Sequence, residues 1–292
     1  MKPITYRFEY YRYQLVPMQY SQLTIDNVPY TVEAIKKKKN EFFAMILENG
    51  NISFGNSKDC EKKIIYHEND KYLLLLSNNH KVPYYDDFNR KTIKSDPYAI
   101  IAIDNNPQQQ IIAIKNSRNA FTSSNSIVRI FSETFNRELS YYNLNIHIEA
   151  ISKLDSFWKE VSLHNREVIK LKFELIKPNM SNISNTFAGE LRELVDQTNS
   201  HKTNLNLESS ANGYLEDINE KNERLTGIMN YVREGGGSLK ATFSDRTKFD
   251  SKSNIVTRAI KSIPDITKAK FNELKNFVND ILRSLNNEQT TV

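Results

Sequence analysis

The chain has one cysteine, Cys60, which excludes an internal disulfide and any zinc site built from cysteines. Glycine and proline number only eight each in 292 residues, too few for a turn-dense all-β sandwich. The five histidines, at 67, 80, 147, 164 and 201, are scattered, with no HxH, HExxH or HxxxH spacing to hold a metal. GxSxG, GxGxxG and GxxxxGK[ST] are all absent, which removes the signatures of a serine nucleophile, a dinucleotide fold and a P-loop. No apolar run exceeds six residues, the length of Phe42–Leu47 and Tyr98–Ile103, far short of the roughly 20 residues a membrane helix needs. The opening MKPITYRFEYYRY has no apolar signal core, so a cytoplasmic protein is expected.

The composition that remains is that of a folded protein, with 26% charged and 39% hydrophobic residues, including 15 Tyr and 15 Phe. Net charge is +5, compatible with an anionic partner but modest for this length. Its distribution is uneven: +4 over 1–95, +1 over 96–184, −4 over 185–234 and +4 over 235–292. Those boundaries also separate four patterns. They are a β-rich N-terminal region, a central α+β core, an acidic helical insertion, and a basic strand followed by an amphipathic helix. The expected fold class is α+β, with antiparallel sheets and packed helices.

The central core is the best defined. Ala99–Ile103 and Ile111–Ile114 flank the turn Asp104-Asn-Asn-Pro-Gln and predict a hairpin. A helix follows, capped by Ser123 or Ser124, with Ile127, Ile130, Phe131, Phe135 and Leu139 at helical spacing. Asn145–Ile151 alternates, placing Ile146, Ile148 and Ala150 inward and His147 and Glu149 toward solvent. Leu154–His164, with the only tryptophan, Trp158, predicts a short helix. Val168–Ile176 (VIKLKFELI) is a clean strand with Val168, Lys170, Lys172 and Glu174 on one face.

On either side the pattern is weaker. Ile4–Tyr13 reads as an edge or outer strand, and its tyrosines as sheet surface rather than a base-stacking platform, which needs aromatics beside a basic groove. The run Lys36, Lys37, Lys38, Lys39 reads as a solvated face or loop, with phosphate contact as the functional alternative. Glu41–Leu47, Ile64–Tyr66 and Tyr72–Leu76 read as short strands, and Asn49-Gly50 predicts a hairpin over Phe42–Phe54. Asn78–Lys94 reads as a loop carrying His80, Tyr84, Tyr85, Asp86 and Asp87. Further on, Asn185–Gln197 and Gly213–Glu234 predict helices joined by polar Thr198–Ser210, a lid-like arrangement. Gly235-Gly-Gly237 closes the second helix, and Ser238–Ser244 is a strand. Asp265–Leu285 predicts a final helix with a broad apolar stripe, packed on its own domain or, alternatively, against a partner.

Two functional patterns stand out. Asp104 followed by Ala113-Ile-Lys115 loosely resembles the Asp…Glu-x-Lys core of restriction-type nucleases, but alanine stands where the second metal-binding carboxylate belongs. The second pattern is a basic segment, Lys240, Arg246, Lys248, Lys252, Arg258 and Lys261, interrupted only by Asp245 and Asp250. With Lys36–Lys39 it forms the candidate phosphate-contacting set; six contacts predict a slope of log K against log salt near −5.

In order of elements the chain resembles the RexA-type phage-exclusion proteins. The resemblance rests on TYRFEYYRY, the hairpin AIIAID…QIIAIKN, the helix SIVRIFSETFNREL, the strands NIHIEAI and VIKLKFELIKPN, and NYVREGGGSLKATFSD before the last helix. It implies an anti-phage protein that is cytoplasmic, homodimeric and bound to double-stranded DNA with little sequence preference, with a fold akin to RdgC-like DNA-binding proteins. It also implies a separately encoded membrane-protein partner and supplies no catalytic residue and no cofactor. A protein-interaction subunit of a two-component defence complex, held through Phe271–Leu285, is the alternative expectation.

Overall fold

A computed structural model of the chain describes residues 5–18, 23–25, 28–54, 58–78, 80–177, 193–195, 197–198, 200–283 and 285. The fold is α+β, as expected, and its sheets are antiparallel. The chain divides into two compact units, one of residues 1–9, 17–146 and 257–292, the other of 10–16 and 147–256. This cuts across the sequence-based boundaries, because strands β1 (Thr5–Pro17) and β11 (Leu144–Ala150) each give residues to both.

In the first unit, the short pair β2 (Leu23–Ile25) and β3 (Val28–Tyr30) and helix α1 (Val32–Asn49) precede β4 (Ile52–Phe54), β5 (Lys58–Glu68) and β6 (Lys71–Ser77). The hairpin β7 (His80–Asp86) and β8 (Asn89–Ser95) follows, then β9 (Tyr98–Asp104), β10 (Ile111–Lys115) and α2 (Ser124–Leu139). The predicted central unit forms as read: Ala113 faces Ala102 across the β9–β10 ladder, and Ser123 caps α2 by accepting from the Ser126 amide. The main sheet runs β11-β1-β10-β9-β6-β5-β4, so β1 is an interior strand and not the expected edge. The strand β16 (Thr257–Lys261) also pairs with β1, Phe8 facing Arg258.

Strands β6 and β9 are buried on both faces, and alternate residues of β6 show why. Tyr72 donates its hydroxyl to Glu48 of α1 at 2.8 Å. Lys71, pointing the other way, donates to Asn279 at 2.8 Å on the last helix, Phe271–Arg283. That helix buries Leu274, Phe277, Val278, Ile281 and Leu282, with Phe277 edge-on to Tyr6 and Phe8. Most of its stripe is covered within the unit, while Phe271 at its start is 53% exposed. The helix begins at Phe271 rather than Asp265, and Asp265 instead accepts from Thr267 in the preceding turn.

Several expectations in this unit are corrected. Lys36–Lys39 and EFFAMIL are one helix, capped by the Thr31 hydroxyl, with Ile35, Lys39, Phe42, Phe43, Ile46 and Leu47 facing inward. Asn49-Gly50 ends that helix instead of turning a hairpin; the Gly50 amide donates to the Ile46 carbonyl at 2.7 Å. Residues 80–95 are a two-stranded hairpin, not a loop.

The second unit carries α3 (Leu154–Leu163), β12 (Val168–Ile176), β13 (Lys202–Glu208), α4 (Glu223–Arg233), β14 (Gly237–Phe243) and β15 (Lys248–Asp250). Its sheet runs β13-β12-β14-β15. Leu171, Phe173 and Leu175 of β12 pack with Leu239, Ala241 and Phe243 of β14 against Phe157 and Val161 of α3 and Ile228, Met229 and Val232 of α4. Val168 joins this core, contrary to the alternation, because a bulge between Val168 and Lys170 shifts the register by one.

The acidic helical lid does not form as expected. Residues 202–208 are a strand paired with β12, and the helix read over Gly213–Glu234 begins only at Glu223, capped by Asn222. The helix expected over Asn185–Gln197 lies for the most part outside the described residues. Gly235 closes α4 at φ 83°, the left-handed conformation the glycine run predicted.

Candidate nucleic-acid interface

Side chains alternate across a strand, so the buried face of the second unit's sheet fixes what its other face carries. Outward point Lys170, Lys172 and Glu174 of β12, Lys240 and Thr242 of β14, and Lys248 and Asp250 of β15. On β13 the same face carries Asn206 and Glu208. One rung reads Asn206, Lys172, Lys240, Asp250, and the next Glu208, Lys170, Thr242, Lys248. Lys172 therefore stands directly opposite Lys240. Like charges so placed destabilise a sheet, so the fold alone does not favour this pair.

The strength of each lysine's existing partner decides which can meet a phosphate. Lys170 pairs with Glu208 at 2.9 Å and Lys240 with Asp250 at 3.3 Å, in solvent-exposed geometry. Exposed pairs contribute about 0–1 kcal/mol, so an incoming anion replaces the carboxylate at little loss. Lys172 and Lys248 are exposed and make no ion pair among the described residues.

Lys252 differs. It pairs at 3.1 Å with Glu149, which is only 8% exposed, so the lysine is committed to a buried carboxylate. Burial pushes the Glu149 carboxyl up and Lys252 holds it back. Arg246 sits exposed in the β14–β15 turn at φ 68°. Arg258 and Lys261 lie on β16 in the first unit, Arg258 half-buried and Lys261 exposed, so the basic segment is split between units.

In α1, Lys36, Lys37 and Lys38 are exposed, and Lys36 pairs with Glu33 at 2.8 Å. Lys39 is buried, and burial pulls its ammonium down to about 8, helped by Lys36. Of the ten basic candidates, the fold brings Lys240 and Lys248 together and joins them to Lys170 and Lys172, which strand alternation had placed on one face without assigning a role.

Two further clusters were not legible as pairs. His147 and His201 meet with their Nε2 atoms 2.9 Å apart. Burial, then His201 and Lys202, pull the His147 imidazole down to about 4, so the strand face expected to be solvated is enclosed. In the first unit Glu68, Asp70, Lys71, Asp104, Lys275 and Arg283 contribute to the lining of a pocket of about 400 Å³. Glu68 there pairs with Lys275 at 2.7 Å, and burial raises the Asp104 carboxyl.

That placement bears on the nuclease pattern. Asp104 faces Ile111 in the ladder, whereas Lys115 lies four residues along β10, about 13 Å away at strand rise. Lys115 instead sits over the Tyr6 ring at 5.0 Å. Asp104 and Lys115 are therefore not brought together; the lysine that stands opposite Asp104 is Lys71 of β6. No family model, curated protein or solved structure matches the chain.

Proposed function

We propose that this protein binds double-stranded DNA without regard to sequence, through the lysine ladder on the outer face of the β13-β12-β14-β15 sheet. The observation that carries the reading is the direct opposition of Lys172 and Lys240, with Lys170 and Lys248 on the adjoining rung. A phosphate backbone relieves that repulsion, and neutralising phosphates releases condensed counterions. No base-reading geometry is needed for such binding, because phosphate contacts position a protein without specifying sequence. The resemblance to phage-exclusion proteins supports the setting: an anti-phage protein acting as a pair of copies with a membrane-protein partner.

Four ladder contacts give a salt slope of about −3.6, equivalent to roughly a 150-fold loss of affinity between 50 and 200 mM salt. The test is fluorescence anisotropy of a labelled random duplex titrated across that range. Steep loss of binding supports the reading; absence of binding at the lowest salt overturns it.

A further inference from the structure

The β7–β8 hairpin forms a two-stranded sheet of its own, outside the main sheet path. Its tip breaks a local rule. Asp87 and Phe88 both adopt positive φ, 47° and 61°, the geometry of a type I′ turn. Such turns favour Asn-Gly because a β-carbon is strained there, and a bulky aromatic is among the least suited residues. Phe88 is nevertheless 99% exposed, so no packing within the unit offsets the strain. Residues held in sparsely populated backbone regions concentrate where a contact is made.

The flanks give the chemistry of that contact. Tyr85, 72% exposed, stands opposite Arg90, and Tyr84 stands opposite Lys91. Arg90 is exposed and has no ion-pair partner among the described residues, while Lys91 pairs with Asp86 in the open. Between residues 80 and 95 the sequence has Lys81, Arg90, Lys91 and Lys94 against only Asp86 and Asp87. Exposed aromatics interleaved with cations are what a base-contacting surface needs, and the opening tyrosine strand does not present them. There Tyr10, Tyr11 and Tyr13 are buried; here Tyr84, Tyr85 and Phe88 are exposed.

We propose that the β7–β8 hairpin is a second DNA-contacting arm, in which Phe88 wedges between base steps of a duplex while Arg90 and Lys91 engage the flanking phosphates. This rests on the DNA-binding reading and adds distortion of the duplex to it. A two-stranded ribbon is slender enough to enter a groove, and apolar wedges with basic neighbours unstack and kink DNA by 20–90°. The net positive charge selects a polyanion over an uncharged partner.

The experiment compares the full-length protein with Phe88→Ala and with Arg90→Ala/Lys91→Ala on a short duplex carrying a donor and an acceptor dye at its two ends. Because Phe88 touches no core, the alanine variant keeps the fold. Wild type is expected to raise end-to-end energy transfer. Phe88→Ala should lose that rise and about tenfold or more in affinity with an unchanged salt slope. The double variant should lower the slope by about 2. If wild type binds steeply with salt but Phe88→Ala matches it in affinity and energy transfer, the wedge is overturned and the ladder reading stands. If wild type does not bind the duplex, both fall. If Phe88→Ala instead abolishes binding to phosphatidylserine-containing vesicles and leaves DNA binding intact, the arm is a lipid anchor and the proposal is overturned.

Discussion

Replacing Lys252 by alanine removes the only ion-pair partner that the described residues give Glu149, a side chain 11% exposed. Breaking a fully buried pair costs about 3–5 kcal/mol because the remaining charge is stranded, whereas an exposed pair contributes about 0–1 kcal/mol. Lys252 is 42% exposed in its side chain, so this pair falls between those limits, and a loss of about 2 kcal/mol is expected. The loss should depend on pH. Without Lys252 the Glu149 carboxyl rises further, so the folded state holds its proton more tightly than the unfolded chain. The destabilisation relative to wild type therefore grows as pH rises from the ordinary carboxyl range and levels off above the raised value. Trp158 is the single tryptophan and packs on Phe157 within the same unit, so its fluorescence during urea unfolding reports the change. Glu149→Gln/Lys252→Met should restore stability to within about 1 kcal/mol, since no buried charge then remains. A Lys252→Ala protein as stable as wild type but with a shallower DNA salt slope would refute the reasoning. It would return Lys252 to the phosphate-contacting set.

Two further outcomes follow from the same unit. Gly237→Ala should cost about 3 kcal/mol, because its new methyl would lie 2.1 Å from the Glu174 carbonyl oxygen, a backbone atom fixed in the β12–β14 ladder. Gly213→Ala is the control: its nearest contact is the movable Ser210 hydroxyl, so urea midpoints should separate the two variants clearly. The His147–His201 pair should make stability fall with acid. Both imidazoles are held below their ordinary value, chiefly by burial, so proton uptake favours the unfolded chain between pH about 6.5 and about 4. Wild type should lose on the order of 2 kcal/mol across that window, and His147→Asn should flatten the profile.

The pieces that could be read in the sequence are those whose own pattern carries the information. The hairpin of Ala99–Ile103 and Ile111–Ile114 and the stripe of α2 form as read, and the alternation of VIKLKFELI holds over Lys170–Leu175, failing at Val168, where the bulge shifts it. Helix α1 reads in sequence as a lysine run followed by a strand because its inward stripe passes through Lys39. Its buried aliphatic stem completes the period that Ile35, Phe42 and Ile46 begin, and a charge at that position conceals it. Strand β13 offers only Leu205 and Leu207 at alternate positions, and what makes it a strand is β12 alongside, more than 25 residues away in the chain. The hairpin at 80–95 reads as a loop in sequence because both its faces carry exposed apolar side chains, so no single buried face sets a period.

The candidate site was legible only in part, for the same reason. Lys240 and Lys248 were nominated by local charge density, and Lys170 and Lys172 were placed on one face by alternation. That Lys172 and Lys240 oppose each other depends on a register between strands 68 positions apart, which no local window contains. Lys252 was nominated on charge alone because Glu149 is distant in sequence. Charge density finds cations; register and burial decide which of them is available.

On the proposed function, the outer face of the β13-β12-β14-β15 sheet holds a phosphate backbone. The most direct measurement is the salt dependence of duplex binding by Lys172→Glu/Lys240→Glu, set beside wild type and beside Lys36→Glu/Lys37→Glu on α1. Both substituted pairs reverse the same number of exposed lysines, so net charge is matched. The ladder variant should lower the slope by about 2 and weaken binding at low salt by well over tenfold, while the helix variant stays close to wild type. Equal losses in the two variants would show that only overall charge matters, and an unchanged slope in the ladder variant would contradict the account.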